Sequence, residues 1–222
     1  MYLIVIRHTE SIKNVNTQFS SEYDLEDLTD IGKQQSLNLA KNLKEFIITK
    51  SLKCNKVYSA NSTRSIETAK FIASYLDVDV SIEEDLRSTK PGSLAGKSEE
   101  EAKKTNPLFI EQLYLFRNGL FNAYDFKVAD GKESKKEFEK RVNGCIDRLI
   151  NDKSEDIKIV VAHRSSITTI LLEFAKRFYN YPQNFSGHIP LDLGYASILI
   201  KENKSGWKFL KVNSEISSIK EL

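Results

Sequence analysis

The chain has 222 residues, of which 40% are hydrophobic and 29% are charged, enough apolar sequence to bury the core of one domain. Its 33 basic and 31 acidic residues give a formal net charge of +2, so composition implies no nucleic-acid or other polyanionic partner. No apolar run has the length of a membrane span, and the first residues do not resemble a signal peptide. Cys54 and Cys145 are too few for a disulfide framework or a metal cluster, so we expect reduced thiols in a cytoplasmic protein.

The first predicted strand is Leu3 to Ile6, an apolar run rich in β-branched residues and typical of a strand buried on both faces. It stops at Arg7-His8, and polar residues follow. A cation and an imidazole at the carboxyl end of a buried strand stand where open α/β sheets place their ligands. Alone, this pair is equally consistent with a strand that meets water, so its interpretation depends on the segments that follow.

Strands and helices alternate along most of the remaining chain. Cap residues and helical periodicity predict helices that begin near Thr29, Ser62, Ser134 and Ser165. Further strands are predicted over residues 56–59, 78–82, 157–162, 195–200 and 207–212. The alternation predicts an α/β fold, a three-layer sandwich with a mostly parallel central sheet, to which the last two strands add an antiparallel element. We expect residues 15–27 to form a surface loop and residues 214–222 to be peripheral.

The alternation is interrupted between residues 83 and 132, where glycines and prolines separate short helix-forming pieces. Phe109, Tyr114 and Phe116 belong to an aromatic-rich patch in this stretch. We predict a single domain over residues 1–222 with a helical, lid-like insertion at about 90–132. An ordinary helical pair that completes the core is the alternative.

Basic and imidazole side chains follow three of the predicted strands. Arg7 and His8 follow the first strand, Arg64 follows the second, and His163 and Arg164 follow the strand over 157–162. Because the carboxyl ends of parallel strands share one edge of a sheet, these side chains can converge. Guanidinium groups fit phosphate oxygens, and an imidazole can act as nucleophile, base or donor. The sequence has neither a glycine-rich phosphate loop nor a carboxylate cluster, so we expect an anion site without metal or cofactor, with a histidine nucleophile.

Four short motifs occur in order along residues 2 to about 200. They are RHTES-x-x-N from Arg7, LT-x-x-G-x-x-Q from Leu28, S-x-x-x-x-R-x-x-x-TA from Ser59, and VVAH from Val160. Together they resemble the signature of the histidine phosphatase superfamily, in the branch that includes the cofactor-dependent phosphoglycerate mutases. Thr9 stands where glycine is commonest in that family.

The resemblance implies a phosphoglycerate mutase-like fold and hydrolysis of a small phosphorylated metabolite. His8 would attack phosphorus and become a phosphohistidine, which water would then hydrolyse. Arg7, Arg64 and His163 would bind the phosphoryl oxygens, and Asn14 would help. The physical requirements agree for His8, because neighbouring arginine charges lower its pKa and keep it neutral. His163 would serve best when charged.

One position departs from the family at a chemically important place. Active relatives usually carry a carboxylate two residues after the leucine that Leu86 matches, and it protonates the leaving oxygen. Here that position is Ser88, whose hydroxyl group does not titrate near neutral pH. We expect Ser88 to contact the substrate. Three explanations are open. One of the acids Glu83, Glu84 and Asp85 is displaced into the site, and Glu84 is the preferred one. Alternatively, the substrate has a good leaving group that needs little protonation, or turnover is weak or absent.

Arg164 is a second departure, since most relatives have glycine after the second histidine. It either adds charge to the pocket and favours a substrate with a second anionic group, or turns to solvent at the start of its helix. His188 is expected to be a loop residue, and a role in the pocket is the less favoured alternative.

Three functions are therefore open. The first is a metal-independent phosphomonoesterase acting on a small phosphorylated substrate. The second is a mutase, disfavoured because the charged segment that mutases carry after the third strand is not visible. The third is a phosphate-binding homologue with weak or no turnover, supported by Ser88. The sequence implies no membrane partner and leaves the oligomeric state open, with a homodimer as one option.

Overall fold

The computed structural model describes residues 1–16, 19, 25–126, 131–202 and 206–221. The strands are β1 (Tyr2–Arg7), β2 (Lys56–Ala60), β3 (Asp79–Glu83), β4 (Ile157–Ala162), β5 (Ala196–Glu202) and β6 (Gly206–Ser214). The helices are α1 (Ile12–Asn16), α2 (Asp30–Thr49), α3 (Thr63–Leu76), α4 (Glu99–Thr105), α5 (Pro107–Arg117), α6 (Lys135–Asn151) and α7 (Arg164–Phe178).

The strands form one sheet in the order β3-β2-β4-β1-β5-β6 within the described ranges. β1 pairs with β4, β4 with β2, and β2 with β3, all in parallel. β5 and β6 complete the sheet as antiparallel strands beside β1. The apolar runs of β1 and β4 occupy the centre of the sheet because both faces of these strands are covered. The predicted mostly parallel sheet with an antiparallel element is confirmed.

Helices cover both faces of the sheet and bury the alternating side chains of β1 on opposite sides. Leu3 and Val5 belong to a cluster with apolar residues of α6 and α7. Ile4 and Ile6 belong to a second cluster with residues of α2 and α3. This confirms the predicted three-layer sandwich, because each face of the sheet has its own helical layer and its own core.

Polar caps fix where the main helices begin. The Thr29 side chain accepts a hydrogen bond from the Gly32 amide, and the Ser62 side chain accepts one from the Ser65 amide. Ser134 forms a reciprocal capping box with Glu137 at the start of α6. Each cap satisfies amide groups that the first helical turn leaves unpaired, so these three starts follow the sequence pattern.

The segment predicted as a helical insertion contains α4 and α5 and has a small core of its own. Leu94, Ala102 and Phe109 are buried there, and Phe19 and Phe126 pack against them. Residues 127–130 of this segment lie outside the described ranges. Its action as a lid stays a prediction.

Two expectations about polar stretches need correction. The final segment is not merely peripheral, because Ile216 is buried in the cluster beneath α2. Residues 15 and 16, expected in a surface loop, are instead the last residues of α1. Val15, Asn16, Leu25 and Asp27 are exposed, which agrees with a surface position. Residues 17–18 and 20–24 of that loop lie outside the described ranges.

A length and hydropathy test of the described helices finds none that could cross a membrane.

Candidate active site

Three side chains from distant parts of the chain meet at the carboxyl edge of the parallel strands. Nε of Arg64 lies 3.3 Å from Nε2 of His8, and Nη2 of Arg64 lies 3.3 Å from Nδ1 of His163. The two imidazole rings have centroids 5.3 Å apart. His8, Arg64 and His163 are 3%, 1% and 4% exposed. The structure therefore brings together the three residues on which the sequence argument depended.

Strand register and a helix start bring these residues together. Arg7 stands opposite Ala162 where β1 and β4 pair, and the His8 amide donates to the Ala162 carbonyl at 3.0 Å. The two histidines therefore follow neighbouring strands at the same level. Arg64 lies in the first turn of α3, directly after the Ser62 cap that follows β2. β2 pairs with β4, which places this helix start beside both rings.

The hydrogen bonds of His8 define which ring nitrogen carries the proton. Nδ1 lies 2.8 Å from the Thr9 carbonyl oxygen, which only accepts, so Nδ1 is the donor. Nε2 therefore carries the lone pair and accepts from Arg64. Burial and the Arg64 charge lower the pKa of His8 well below 6.5. The ring is neutral at neutral pH, with the lone pair of Nε2 toward the arginine.

His163 has the opposite tautomer. Its Nδ1 accepts from Arg64, so its Nε2 carries the hydrogen, and Nε2 is buried with no hydrogen-bond partner among the described residues. Burial and the Arg64 charge lower the pKa of His163 well below 6.5. This differs from the expectation of a charged ring, because no described carboxylate contacts the imidazole. A dianion bound beside it would raise that pKa again.

Arg7 supplies a second buried donor beside the histidines. Its Nη1 donates to the Leu191 carbonyl, whereas its Nε is buried without a hydrogen-bond partner among the described residues. Burial, with a smaller effect from Arg164, lowers the pKa of Arg7 to about 10, so the group stays charged at neutral pH. Buried donors in proteins are almost always hydrogen-bonded. Nε of Arg7 and Nε2 of His163 are therefore donors that an anionic oxygen could satisfy.

The second of the four sequence motifs, which begins at Leu28, holds the loop that follows His8 in position. The Thr29 hydroxyl donates to the Glu10 carboxylate at 2.7 Å, and the Thr29 amide donates to the Glu10 carbonyl at 3.1 Å. The Gln35 side chain accepts from the Glu10 amide at 3.0 Å. A Cβ at Gly32 would lie 1.9 Å from the Glu10 carbonyl oxygen, so only glycine allows this approach. The motif thus positions the loop rather than contacting phosphorus.

Thr9 is accommodated where the family usually has glycine. Its hydroxyl lies 2.7 Å from that of Ser36 and 3.1 Å from that of Thr68, so this buried polar group is hydrogen-bonded. A Cβ at Gly194 would lie 3.3 Å from the Thr9 methyl group, and Gly194 has φ +75°. The larger residue after His8 is therefore matched by a glycine on the facing loop.

Asn14 is oriented by the same loop. Its Oδ1 accepts from the Ser11 amide at 3.1 Å and from the Ser11 hydroxyl at 2.7 Å. The oxygen is thereby occupied, and Asn14 lines the cavity in front of His8. Its amide NH2 group is consequently the part of the side chain that can donate to a bound anion.

A cavity of about 650 Å³, which we call the phosphate cavity, opens above the two histidines. Its wall contains the predicted residues Arg7, His8, Asn14, Arg64, Ser88, His163 and Arg164, together with Phe109, Phe116 and Phe126. The size falls in the usual range for small-molecule sites. The cavity can therefore hold a phosphoryl group and a substantial remainder of a substrate.

Glu84, the preferred acid, is not brought to this cavity. Its side chain is exposed and its carboxylate accepts from the Asn61 amide group. Asp85 lies 2.9 Å from Arg148, and Glu83 lies 3.8 Å from the same guanidinium group. The three acids near the departure at position 88 are thus engaged outside the cavity wall, and the geometry gives Glu84 no access to a leaving oxygen.

Sequence reasoning missed two acids that approach the site. Glu99, at the start of α4, lines the phosphate cavity and lies 2.6 Å from Arg117. Glu26 lies 3.4 Å from Nη1 of Arg64, on the side of the guanidinium away from the rings. Glu99 belongs to a capping-box helix start and Glu26 to a polar stretch, so neither had a signal that separated it from solvated acids.

The backbone at the departure position is held firmly. Arg141 donates to the carbonyl oxygens of Asp85, Arg87 and Ser88 at 2.6 to 3.0 Å, and it pairs with Glu133 at 2.6 Å. Ser88 therefore has a fixed place in the cavity wall.

The site can bind a tetrahedral anion and attack it with a neutral imidazole. Its positive charge comes from arginine and lysine side chains, and its two histidines carry complementary tautomers. Within the described ranges, no group of three or more His, Cys, Asp or Glu side chains is arranged to hold a metal ion.

Comparison with known proteins agrees with this geometry. The model of the histidine phosphatase superfamily (branch 1) matches residues 3–215. Among curated proteins, no sequence is similar enough to count as a relative.

Solved structures with the same fold include three bacterial proteins. YhfR of Bacillus stearothermophilus has a TM-score of 0.78 at 19% identity, covering 98% of each chain. A mycobacterial glucosyl-3-phosphoglycerate phosphatase in complex with VO3 has a TM-score of 0.77 at 18% identity, and the match covers 96% of this chain and 99% of the phosphatase chain. The alpha-ribazole phosphatase of Shigella flexneri has a TM-score of 0.73 at 21% identity, and the match covers 96% of each chain.

The family match, spanning nearly the whole chain, coincides with the site in which its signature residues meet. The chain belongs to the histidine phosphatase superfamily, branch 1, and is an enzyme of that phosphatase family.

Proposed function

We propose that this enzyme is a metal-independent phosphomonoesterase that hydrolyses a small phosphorylated metabolite through a phosphohistidine on His8. The observation that carries the proposal is the tautomer of His8, whose Nδ1 donates to the Thr9 carbonyl and leaves Nε2, which accepts from Arg64 at the cavity wall, unprotonated. Two structural neighbours are named as phosphatases of small phosphorylated compounds, which is consistent with this substrate class.

In the first step, the Nε2 lone pair of His8 attacks phosphorus. The bond between phosphorus and the ester oxygen breaks, and that oxygen leaves with the bonding pair and takes up a proton. Arg7, Arg64 and His163 would hold the three phosphoryl oxygens, with the Asn14 amide as a further donor. Such fixed donors stabilise the charge that builds up on these oxygens in the transition state.

In the second step, water attacks the phosphohistidine and loses a proton. The bond between phosphorus and nitrogen breaks, and its electron pair returns to Nε2 of His8. We propose Glu99 for the proton transfers of both steps, because it is the carboxylate that lines the phosphate cavity among the described residues. This replaces Glu84 in the role that the sequence argument gave it.

Ser88 favours one second candidate, a phosphate-binding homologue with weak or no turnover. It occupies a fixed position in the cavity wall where active relatives carry an acid, and a hydroxyl is a poor proton donor at neutral pH.

Hydrolysis of para-nitrophenyl phosphate in the presence of a chelator tests the proposal. We expect turnover by the unaltered chain and none by His8→Ala, with both variants giving the same far-ultraviolet circular dichroism. Acid-labile labelling of His8 without release of phosphate would favour the phosphate-binding homologue. A requirement for a bisphosphorylated primer would instead indicate a mutase.

A further inference from the structure

A second cavity of about 770 Å³ lies beside the phosphate cavity. The two share a wall, which includes Phe116, Phe126, Arg117, Lys132 and Arg164. Aromatic rings and cations therefore lie between the histidines and a second space, which is large enough for the rest of a substrate.

The cations of this shared wall exceed the acids that face them. Arg117 is paired with Glu99 at 2.6 Å. Lys132 and Arg164 have no carboxylate within 4.0 Å among the described residues, although both are partly buried. Acids act on them at longer range only, Glu133 on Lys132, and Asp192 and Glu99 on Arg164. Partly buried charges without a direct partner are costly in proteins, so a site that keeps two of them is suited to an anion.

The other acids of the second cavity do not neutralise this charge. Glu133 is engaged with Arg141 at 2.6 Å, and Glu139 lies 3.3 Å from Lys135. Asp125 is exposed. Lys136 also lines the second cavity, but its side chain is exposed. Among the described cations of this cavity, Lys132 and Arg164 are therefore the partly buried ones without a direct acid partner.

Both cations are held against aromatic or imidazole rings. Nη1 of Arg164 lies 3.5 Å from Nε2 of His188, and the His188 ring packs edge-on against Phe116 at 5.5 Å between centroids. Nζ of Lys132 lies 5.8 Å from the centroid of the Phe109 ring. Burial lowers the pKa of Lys132 and that of Arg164, and the Arg117 charge lowers that of Arg164 further. The ordered surroundings keep the cations at the cavity wall instead of in solvent.

We propose that Lys132 and Arg164 bind a second anionic group of the substrate. The substrate is then a phosphomonoester whose alcohol portion carries a carboxylate or a phosphate, with an apolar part against Phe116 and Phe126. The inference rests on the proposed function, because it assumes that the reacting phosphoryl group lies at His8.

Binding of two phosphonates that resist hydrolysis tests the subsite directly. The pair is 4-(phosphonomethyl)phenylacetate and its amide, which differ only in the distal charge. We expect calorimetry to show about tenfold tighter binding of the acid, the equivalent of one charge-assisted hydrogen bond. Equal affinities would overturn the inference. A bisphosphonate of the same length, compared with the acid, shows whether phosphate or carboxylate is preferred.

Two variants and a matched control locate the effect. Arg164→Gln and Lys132→Gln should each reduce the preference for the acid over the amide to about threefold or less, because one cation of the pair is lost. Lys41→Gln removes the same charge from the exposed face of α2 and should retain the full preference. A preference that survives in both cavity variants would contradict the assignment.

Turnover of the corresponding phosphate esters separates this inference from the proposed function. If 4-(phosphooxy)phenylacetate and its amide are both hydrolysed in a His8-dependent reaction with equal KM, the subsite is wrong and the proposed function stands. If neither ester is hydrolysed but the acidic phosphonate binds more tightly than the amide, the subsite stands and the proposed function is wrong.

Discussion

Arg64 donates from Nε to the Nε2 atom of His8 at 3.3 Å, so the guanidinium group holds the nitrogen that we propose attacks phosphorus. The same group contacts His163 through Nη2. Because one planar guanidinium group donates to both imidazole rings, we expect that another cation, such as lysine, cannot replace Arg64.

Arg64→Lys should therefore lower kcat by about 10²- to 10³-fold, the range found when one fixed donor is removed from a transition state. The measurement is steady-state hydrolysis of para-nitrophenyl phosphate. Glu26→Gln is the matched control, because it weakens a contact with Nη1 at 3.4 Å but leaves the guanidinium beside both rings. If kcat of Arg64→Lys is no lower than kcat of Glu26→Gln, the guanidinium group is not required.

The histidine protonation states give a second prediction. Burial and Arg64 lower the pKa values of His8 and His163 well below 6.5, so both rings should be neutral at pH 6.5. Nitrogen NMR should detect the proton on Nδ1 in His8 and on Nε2 in His163, with His8→Asn used for assignment. The nucleophile that we propose is the neutral His8 ring, so protonation of His8 should lower kcat/KM only when the pH falls below 6.5. A His8 ring that titrates at or above 6.5 would contradict this.

The same pKa values predict how stability depends on pH. Both rings have a folded pKa below the unfolded value of 6.5, so the unfolded chain binds more protons between those values. The free energy of unfolding should therefore be independent of these rings above pH 6.5 and fall as the pH drops below it. Thermal unfolding at pH 7.5 and 5.5 measures the loss, and His163→Gln should reduce it. An equal loss in that variant would exclude a contribution from His163.

Local signals in the sequence were sufficient for the framework of the site. The apolar runs of β1 and β4 predicted the two central strands, and Thr29 and Ser62 predicted helix starts that the structure shows. These features depend on neighbouring residues only. The convergence of His8 with distant side chains followed from one further rule, that parallel strands share a carboxyl edge.

Features made by distant contacts could not be predicted in this way. Ile216 stands among polar residues, and its burial beneath α2 depends on where the last strand ends. Glu99 and Lys132 reach the cavity only because the segment containing α4 and α5 folds over the sheet edge. Glu84 is close in sequence to the departure at Ser88, but its carboxylate accepts a hydrogen bond from the Asn61 side chain. Sequence proximity was a poor guide to which acid faces the cavity.

The position of Glu99 yields a prediction about the leaving group. Glu99→Gln should slow hydrolysis of an alkyl phosphate by about 10²-fold or more and that of an aryl phosphate much less, because an aryl oxide leaves without a proton. Glu84→Gln is the matched control and should leave both rates near those of the unaltered chain, since its carboxylate lies outside the cavity. Equal slowing of both substrates by Glu99→Gln would remove Glu99 from the acid role.

Two glycines in helices offer the last test, because the same substitution should have opposite effects. A Cβ at Gly32 in α2 would lie 1.9 Å from the backbone oxygen of Glu10, whereas a Cβ at Gly144 in α6 would contact nothing within 4 Å. Gly32→Ala should therefore displace the loop after His8, lower the free energy of unfolding by about 1–3 kcal/mol and reduce kcat. Gly144→Ala should raise the free energy of unfolding by about 0.5–1 kcal/mol through helix propensity and leave kcat unchanged. Denaturant unfolding and para-nitrophenyl phosphate hydrolysis measure both quantities. If Gly32→Ala is as stable and as active as Gly144→Ala, the second motif does not fasten the loop that carries the nucleophile.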